Sequence, residues 1–95
     1  MNKAEYETVT DGAELKQALK VMIIKECDKD VAPENISNDE QLIGGALELD
    51  SLDALQICMA VKNKYGVRIE GGQVARRALH NIDALAAFIV AEQAA

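Results

Sequence analysis

Ser51 is the residue whose type and setting most invite chemistry in this chain. It stands in Asp50-Ser51-Leu52-Asp53, where a loop-like stretch gives way to helical periodicity, so its hydroxyl falls at the tip of a helix. One reading is purely structural, because serine is common where helices start. The other is functional: a helix N-terminus offers unpaired N–H groups and the positive end of a dipole, and both favour a phosphate attached there. Asp50 and Asp53 flank the hydroxyl with negative charge that a modifying enzyme can use to hold a divalent cation or basic side chains. By itself the tripeptide Asp-Ser-Leu is too short to decide between the two readings.

The other reactive residue types make no constellation. The one histidine, His80, has no recognisable base, acid or metal partner and reads as a structural or solvated residue near a helix cap. Cys27 and Cys58 are too few for a disulfide scaffold and read as reduced structural thiols. Gly44-Gly45 and Gly71-Gly72 are too short for a phosphate loop, and the acidic residues between Glu34 and Glu40 lack the spacing of a calcium loop. No catalytic residue and no metal site is therefore expected, and the chain does not read as an enzyme.

The elements that position Ser51 follow from periodicity. Ala54, Ile57, Cys58, Val61 and Tyr65 form one apolar stripe of a helix running from about Ser51 to Lys64, stopped by Gly66. Leu52, Leu55 and Met59 form a second stripe roughly opposite. That stripe is either more core or a surface awaiting a partner. Upstream, Asp11 with Glu14 fits a capping-box variant, and Leu15, Ala18, Leu19, Met22 and Ile23 mark a helix at about residues 12 to 28, with Lys16, Lys20 and Lys25 on its solvated side. The charged run Glu26 to Asp30 reads as its fraying end. A long loop follows, in which Ile36, Leu42 and Ile43 are expected to pin the chain to the core. Asn38 or Asp39 is expected to cap one helical turn through Ile43, ended by Gly44-Gly45. Val67-Arg68-Ile69 reads as an extended linker because it has no partner strand. A short helix is expected around Gln73 to Leu79. A last helix is expected after a cap at His80 or Asn81, with Ile82, Leu85, Ala86 and Ile89 on its core face and Phe88 at the edge. The expected fold is all-α: a small antiparallel bundle of three main helices plus a short third helix, with a long loop between the first two. The domain spans residues 11 to 91, between a loose tail at 1 to 10, from which Tyr6 or Val9 can fold back, and a fraying end at 92 to 95.

The bulk properties agree. Ninety-five residues suffice for one domain with one modest core, and 49% apolar content argues for a globular chain. With only Tyr6, Tyr65 and Phe88 as aromatics, the core must be aliphatic. A formal charge of −6 argues against nucleic acid as a partner. The polar, acidic start is no signal peptide, no apolar run reaches membrane-spanning length, and the cytoplasm is the default compartment.

The whole order closely resembles the acyl carrier proteins of bacterial fatty-acid and polyketide synthesis. It runs amphipathic helix, pinned loop, Leu47-Glu-Leu-Asp-Ser-Leu-Asp-Ala-Leu55, doubly apolar helix, then Tyr65-Gly-Val-Arg-Ile69. The resemblance covers about residues 12 to 90. It implies that Ser51 is the attachment site of 4′-phosphopantetheine, with Asp50 and Leu52 beside it, and that the arm's thiol carries acyl groups as thioesters. It also implies a docking surface at Leu52, Asp53, Leu55, Gln56, Met59, Lys62 and Arg76, while the opposite stripe lines a core where acyl chains can shelter. The implied partners are a phosphopantetheinyl transferase and ketosynthase, acyltransferase or acyl ligase enzymes. A monomer is expected, with no role for nucleic acid or membrane. An aminoacyl or peptidyl carrier is the nearest alternative, disfavoured by the Asp before Ser51. An unmodified helical interaction domain is the other.

The chain departs from that family's pattern in ways that bear on its partners. Helix two of the best-known fatty-acid carriers is strongly acidic, yet here Gln56, Lys62, Asn63 and Lys64 stand at matching positions. The short third helix carries Arg76 and Arg77 where acidic residues are usual. Glu48 stands where glycine is frequent, and the preceding loop is one residue longer. These departures predict a specialised carrier that docks poorly onto enzymes selected for an acidic helix two.

Overall fold

In a computed structural model that describes residues 6–95, the chain folds as four helices with no strand among the described residues: α1 (Ala13–Glu26), α2 (Ser51–Tyr65), α3 (Gln73–Ala78) and α4 (Ile82–Ala94). A single 3₁₀ turn, Pro33–Asn35, interrupts the loop between α1 and α2. The expected all-α bundle is what forms. Leu15, Leu19 and Ile23 of α1 pack with Ile57 and Val61 of α2 and Ile82, Leu85 and Ile89 of α4, all essentially removed from solvent. The core is aliphatic apart from Tyr65, and the described residues bury no charged side chain. Among the described residues one buried polar side-chain atom is left over: the Tyr65 hydroxyl finds no partner there, and burial pushes its pKa up.

Two helix ends differ from the periodicity-based expectation. α1 starts one residue later than the Asp11 cap requires. Gly12 is its N-cap and no side chain caps it, while the first helical bond runs from the Lys16 N–H to the Gly12 carbonyl at 3.1 Å. At the other end the charged run does not fray. Asp28 adopts a left-handed conformation (φ 55°), and the Lys29 N–H reaches back to the Ile24 carbonyl at 2.9 Å, closing the helix as a Schellman motif does. α2 behaves as its sequence predicts, ending at a left-handed Gly66 (φ 71°) whose N–H bonds to the Lys62 carbonyl.

The long loop holds the largest surprise. No helical turn forms at residues 38 to 43, because the backbone there finds partners across the fold instead. The Leu42 N–H donates to the His80 carbonyl at 3.1 Å, and the Asp83 N–H donates to the Asn38 carbonyl at 3.0 Å. Ile43 and Leu49 form one isolated parallel bridge, with the Gly44 N–H donating to the Leu49 carbonyl at 2.9 Å. Ile36 and Leu42 are the buried pins the sequence suggested, whereas Ile43 is only half-buried. Gly45 is needed here, because a β-carbon would collide with the Gln41 carbonyl. Val67 and Ile69 are buried in extended chain that joins no sheet, as read from the sequence.

α4 runs past its expected end at residue 91 to Ala94, because Gln93 is tied down. Its side-chain oxygen accepts from the Val9 N–H (3.0 Å), and its amide nitrogen donates to the carbonyls of Glu7 (2.6 Å) and Tyr65 (3.1 Å). The segment from Glu7 to Val9 is thus strapped onto the bundle. The rest of the expected tail, residues 1 to 5, lies outside the described residues.

Candidate functional site

The N-terminus of α2 places Ser51 at the first helical position, with its side chain exposed. Its placement is fixed by the residues on either side. The Asp50 carboxylate accepts from the Asp53 N–H at 3.0 Å, and the Asp53 carboxylate accepts from the Asp50 N–H at 3.0 Å, a reciprocal capping box. These bonds, chiefly the one from the Asp53 N–H, hold the Asp50 pKa below the usual carboxylate value. Asp50 is therefore ionised at neutral pH.

Of the N–H donors that the helix N-terminus offers a phosphate, the Asp53 N–H is taken by the Asp50 carboxylate. The two aspartates look first to each other's backbone, and no group of three or more His, Cys, Asp or Glu among the described residues could hold a metal ion.

Behind Ser51 opens a cavity of ≈ 470 Å³. Ala54, Ile43, Ala75 and Leu79 give it apolar walls, while Gln41, Arg76 and His80 bring polar groups to it. Sequence reasoning placed Ser51 and Arg76 near the site but missed Gln41 and His80. Their proximity depends on the Leu42–His80 backbone bond, which ties the loop to the corner between α3 and α4 and leaves no local signature in the sequence.

The two apolar stripes of α2 separate cleanly. Ile57, Val61 and Tyr65 are buried, with Ala54 and Cys58 half-buried beside them. Leu52, Leu55 and Met59 are 67%, 55% and 57% exposed. Gln56 and Lys62 flank that exposed stripe, and Asp53 sits half-buried at its start. Among the described residues Lys62, Arg76 and Arg77 make no ion pair, whereas Lys64 is 3.8 Å from the Glu7 carboxylate. Cys58 lies only partly within the core stripe, and Cys27 donates weakly to the Asp53 carbonyl at 3.9 Å. Desolvation pushes Cys27 up to about 11 and raises Cys58. Both are neutral thiols at pH 7.

Residues 17–89 match the family described as the phosphopantetheine attachment site, well over half of the chain. The chain belongs to that family. It is a carrier protein of the acyl carrier family, whose members bear covalently attached 4′-phosphopantetheine. No curated protein and no solved structure matches it. The described residues fit such a group: the carrier offers an exposed serine hydroxyl, engaged by no side-chain hydrogen bond, at the mouth of a mainly apolar cavity. Among the described residues no helix is long and apolar enough to cross a membrane.

Proposed function

We propose that Ser51 is the attachment residue and that the protein is an acyl carrier, holding acyl intermediates of fatty-acid, polyketide or related lipid biosynthesis in the cytoplasm. The observation that carries this reading is the position of Ser51, exposed at the capped start of α2 and opening onto the cavity. When bound, the prosthetic group supplies a terminal thiol on which carboxylic acids are held as thioesters. The chain's own residues bind, present and dock. The Asp50–Asp53 box fixes the start of α2, so the hydroxyl is presented in one place to a phosphopantetheinyl transferase. Leu52, Leu55 and Met59 offer an apolar edge to that enzyme and to ketosynthases, acyltransferases or acyl ligases, with Asp53, Gln56, Lys62 and Arg76 around it. The acyl type is favoured over aminoacyl or peptidyl carriers by the acidic residue directly before the serine. The protein acts as a monomer and performs no catalysis itself.

Incubation with coenzyme A, Mg²⁺ and a broad-specificity transferase, followed by intact mass measurement, tests this. One phosphopantetheine adduct is expected on the wild type and none on Ser51→Ala. An unmodified wild type would sink the carrier reading, and an adduct that survives Ser51→Ala would move the site elsewhere.

A further inference from the structure

The electrostatics around Ser51 pose a problem that the capping box creates. Asp50 and Asp53 each occupy the other's backbone N–H, so two carboxylates sit at this helix end and the Asp53 N–H is already engaged. A phosphodiester on Ser51 adds another negative charge between two carboxylates, and like charges this close repel. A cationic side chain facing Ser51 would offset that repulsion.

The cavity supplies one. Its lining contains Ser51 and no carboxylate, and its polar residues besides the serine are Gln41, Arg76 and His80. Arg76 has no ion-pair partner among the described residues. A guanidinium is the side chain best suited to grip a phosphate, through two parallel N–H bonds. Arg77, next along α3, does not line the cavity.

Resting on the reading of Ser51 as the attachment residue, we infer that Arg76 is a positioning residue for the phosphodiester on Ser51, with Gln41 and His80 as further hydrogen-bond donors. The contact draws the start of the arm across the cavity toward α3 and gives this short helix a tether that it lacks in the unmodified protein. Arg76 thereby serves the arm first, and is withdrawn from the surface offered to partners whenever the arm is held.

The test compares apo and holo forms of the full chain, with intact mass establishing the adduct before anything else is read. Amide exchange across Gln73–Ala78 should slow about two- to fivefold on conversion to the holo form, the range an exposed ion pair supports. Arg77→Gln should show the same slowing and Arg76→Gln none. The ³¹P resonance of the holo protein should move in Arg76→Gln and stay in place in Arg77→Gln. At about 1 M salt, where the screening length falls to about 3 Å, the wild-type resonance should approach that of Arg76→Gln. Equal behaviour of the two arginine variants, or no slowing in the wild type, overturns the inference while leaving the carrier reading intact. Absence of any adduct removes both.

Discussion

Glu48 offers a sharp test of how the loop before Ser51 is built. It adopts a left-handed backbone conformation (φ 58°), where a side chain with a β-carbon is disfavoured. For an ordinary L-residue that conformation costs roughly 1–2 kcal/mol. Glycine removes the cost, but loses roughly 0.5–1 kcal/mol more conformational entropy on folding. The balance for Glu48→Gly runs from about zero to about 1.5 kcal/mol and centres on a gain of about 0.5–1 kcal/mol. For a domain of this size that corresponds to a melting temperature about 2–8 °C higher. Glu48 is exposed and makes no ion pair among the described residues, so Glu48→Ala removes the charge, keeps the strain, and should stay within about 0.5 kcal/mol of wild type. Gly66→Ala should move the other way. Its φ of 71° carries the same penalty, and its new β-carbon would meet the Tyr6 ring at 2.5 Å. Thermal and urea denaturation of the three variants give the answer. If Glu48→Gly and Glu48→Ala behave alike, the left-handed geometry is not the cause, and the argument from φ fails.

Three further outcomes follow from the site and its surroundings. The Asp50 pKa is lowered in the folded state, so its contribution to stability is present above the unfolded value near pH 4 and lost as pH falls through the lower folded value. Asp50→Asn should therefore be less stable than wild type at pH 7, with the gap closing in denaturation curves taken below about pH 4; a gap that persists at pH 2 would contradict the charge argument. With Cys27 raised to about 11, only about one part in 10⁴ of it is thiolate at pH 7, and burial also disfavours the Cys58 thiolate. Iodoacetamide should thus label native apo protein slowly and both cysteines quickly in denaturant, whereas rapid stoichiometric labelling of the native form would refute the burial. Finally, Lys62→Glu/Lys64→Glu should raise kcat/KM for loading by a housekeeping ketosynthase on the order of tenfold at low salt. Lys62 should carry most of that gain, since Lys64 is engaged with Glu7; an unchanged rate counts against charge-selected docking.

What was legible in the sequence was whatever rests on local physics. The 3.6-residue period fixed the buried face of α2 at Ile57, Val61 and Tyr65, Gly66 marked its end, and Asn81 was a readable cap, its side chain accepting from the Ala84 N–H at 2.7 Å. The exposed stripe of Leu52, Leu55 and Met59 was legible for the same reason. The loop was not, because Asn38 and Leu42 satisfy their backbone groups against Asp83 and His80, some forty residues away in sequence. The cavity suffered likewise, since Gln41 and His80 reach Ser51 only through that long-range bond. Of the left-handed residues, Glu48 was half visible, through the glycine frequent at its position in related carriers. Asp28 was hidden inside a run of charges that reads as a fraying end.

The Gln93 clasp has a practical consequence. It holds Glu7, Val9 and the last carbonyl of α2 together at one end of the bundle. Ser51 opens α2 at the other end, 15 residues or about 22 Å along the helix axis. Whatever is joined to either end of the described chain, whether a surface tether, a fluorescent reporter or another folded module, attaches at the pole opposite the serine. The carrier can be anchored by one pole while the other remains free to meet enzymes, so immobilised or fused forms should keep their loading rates.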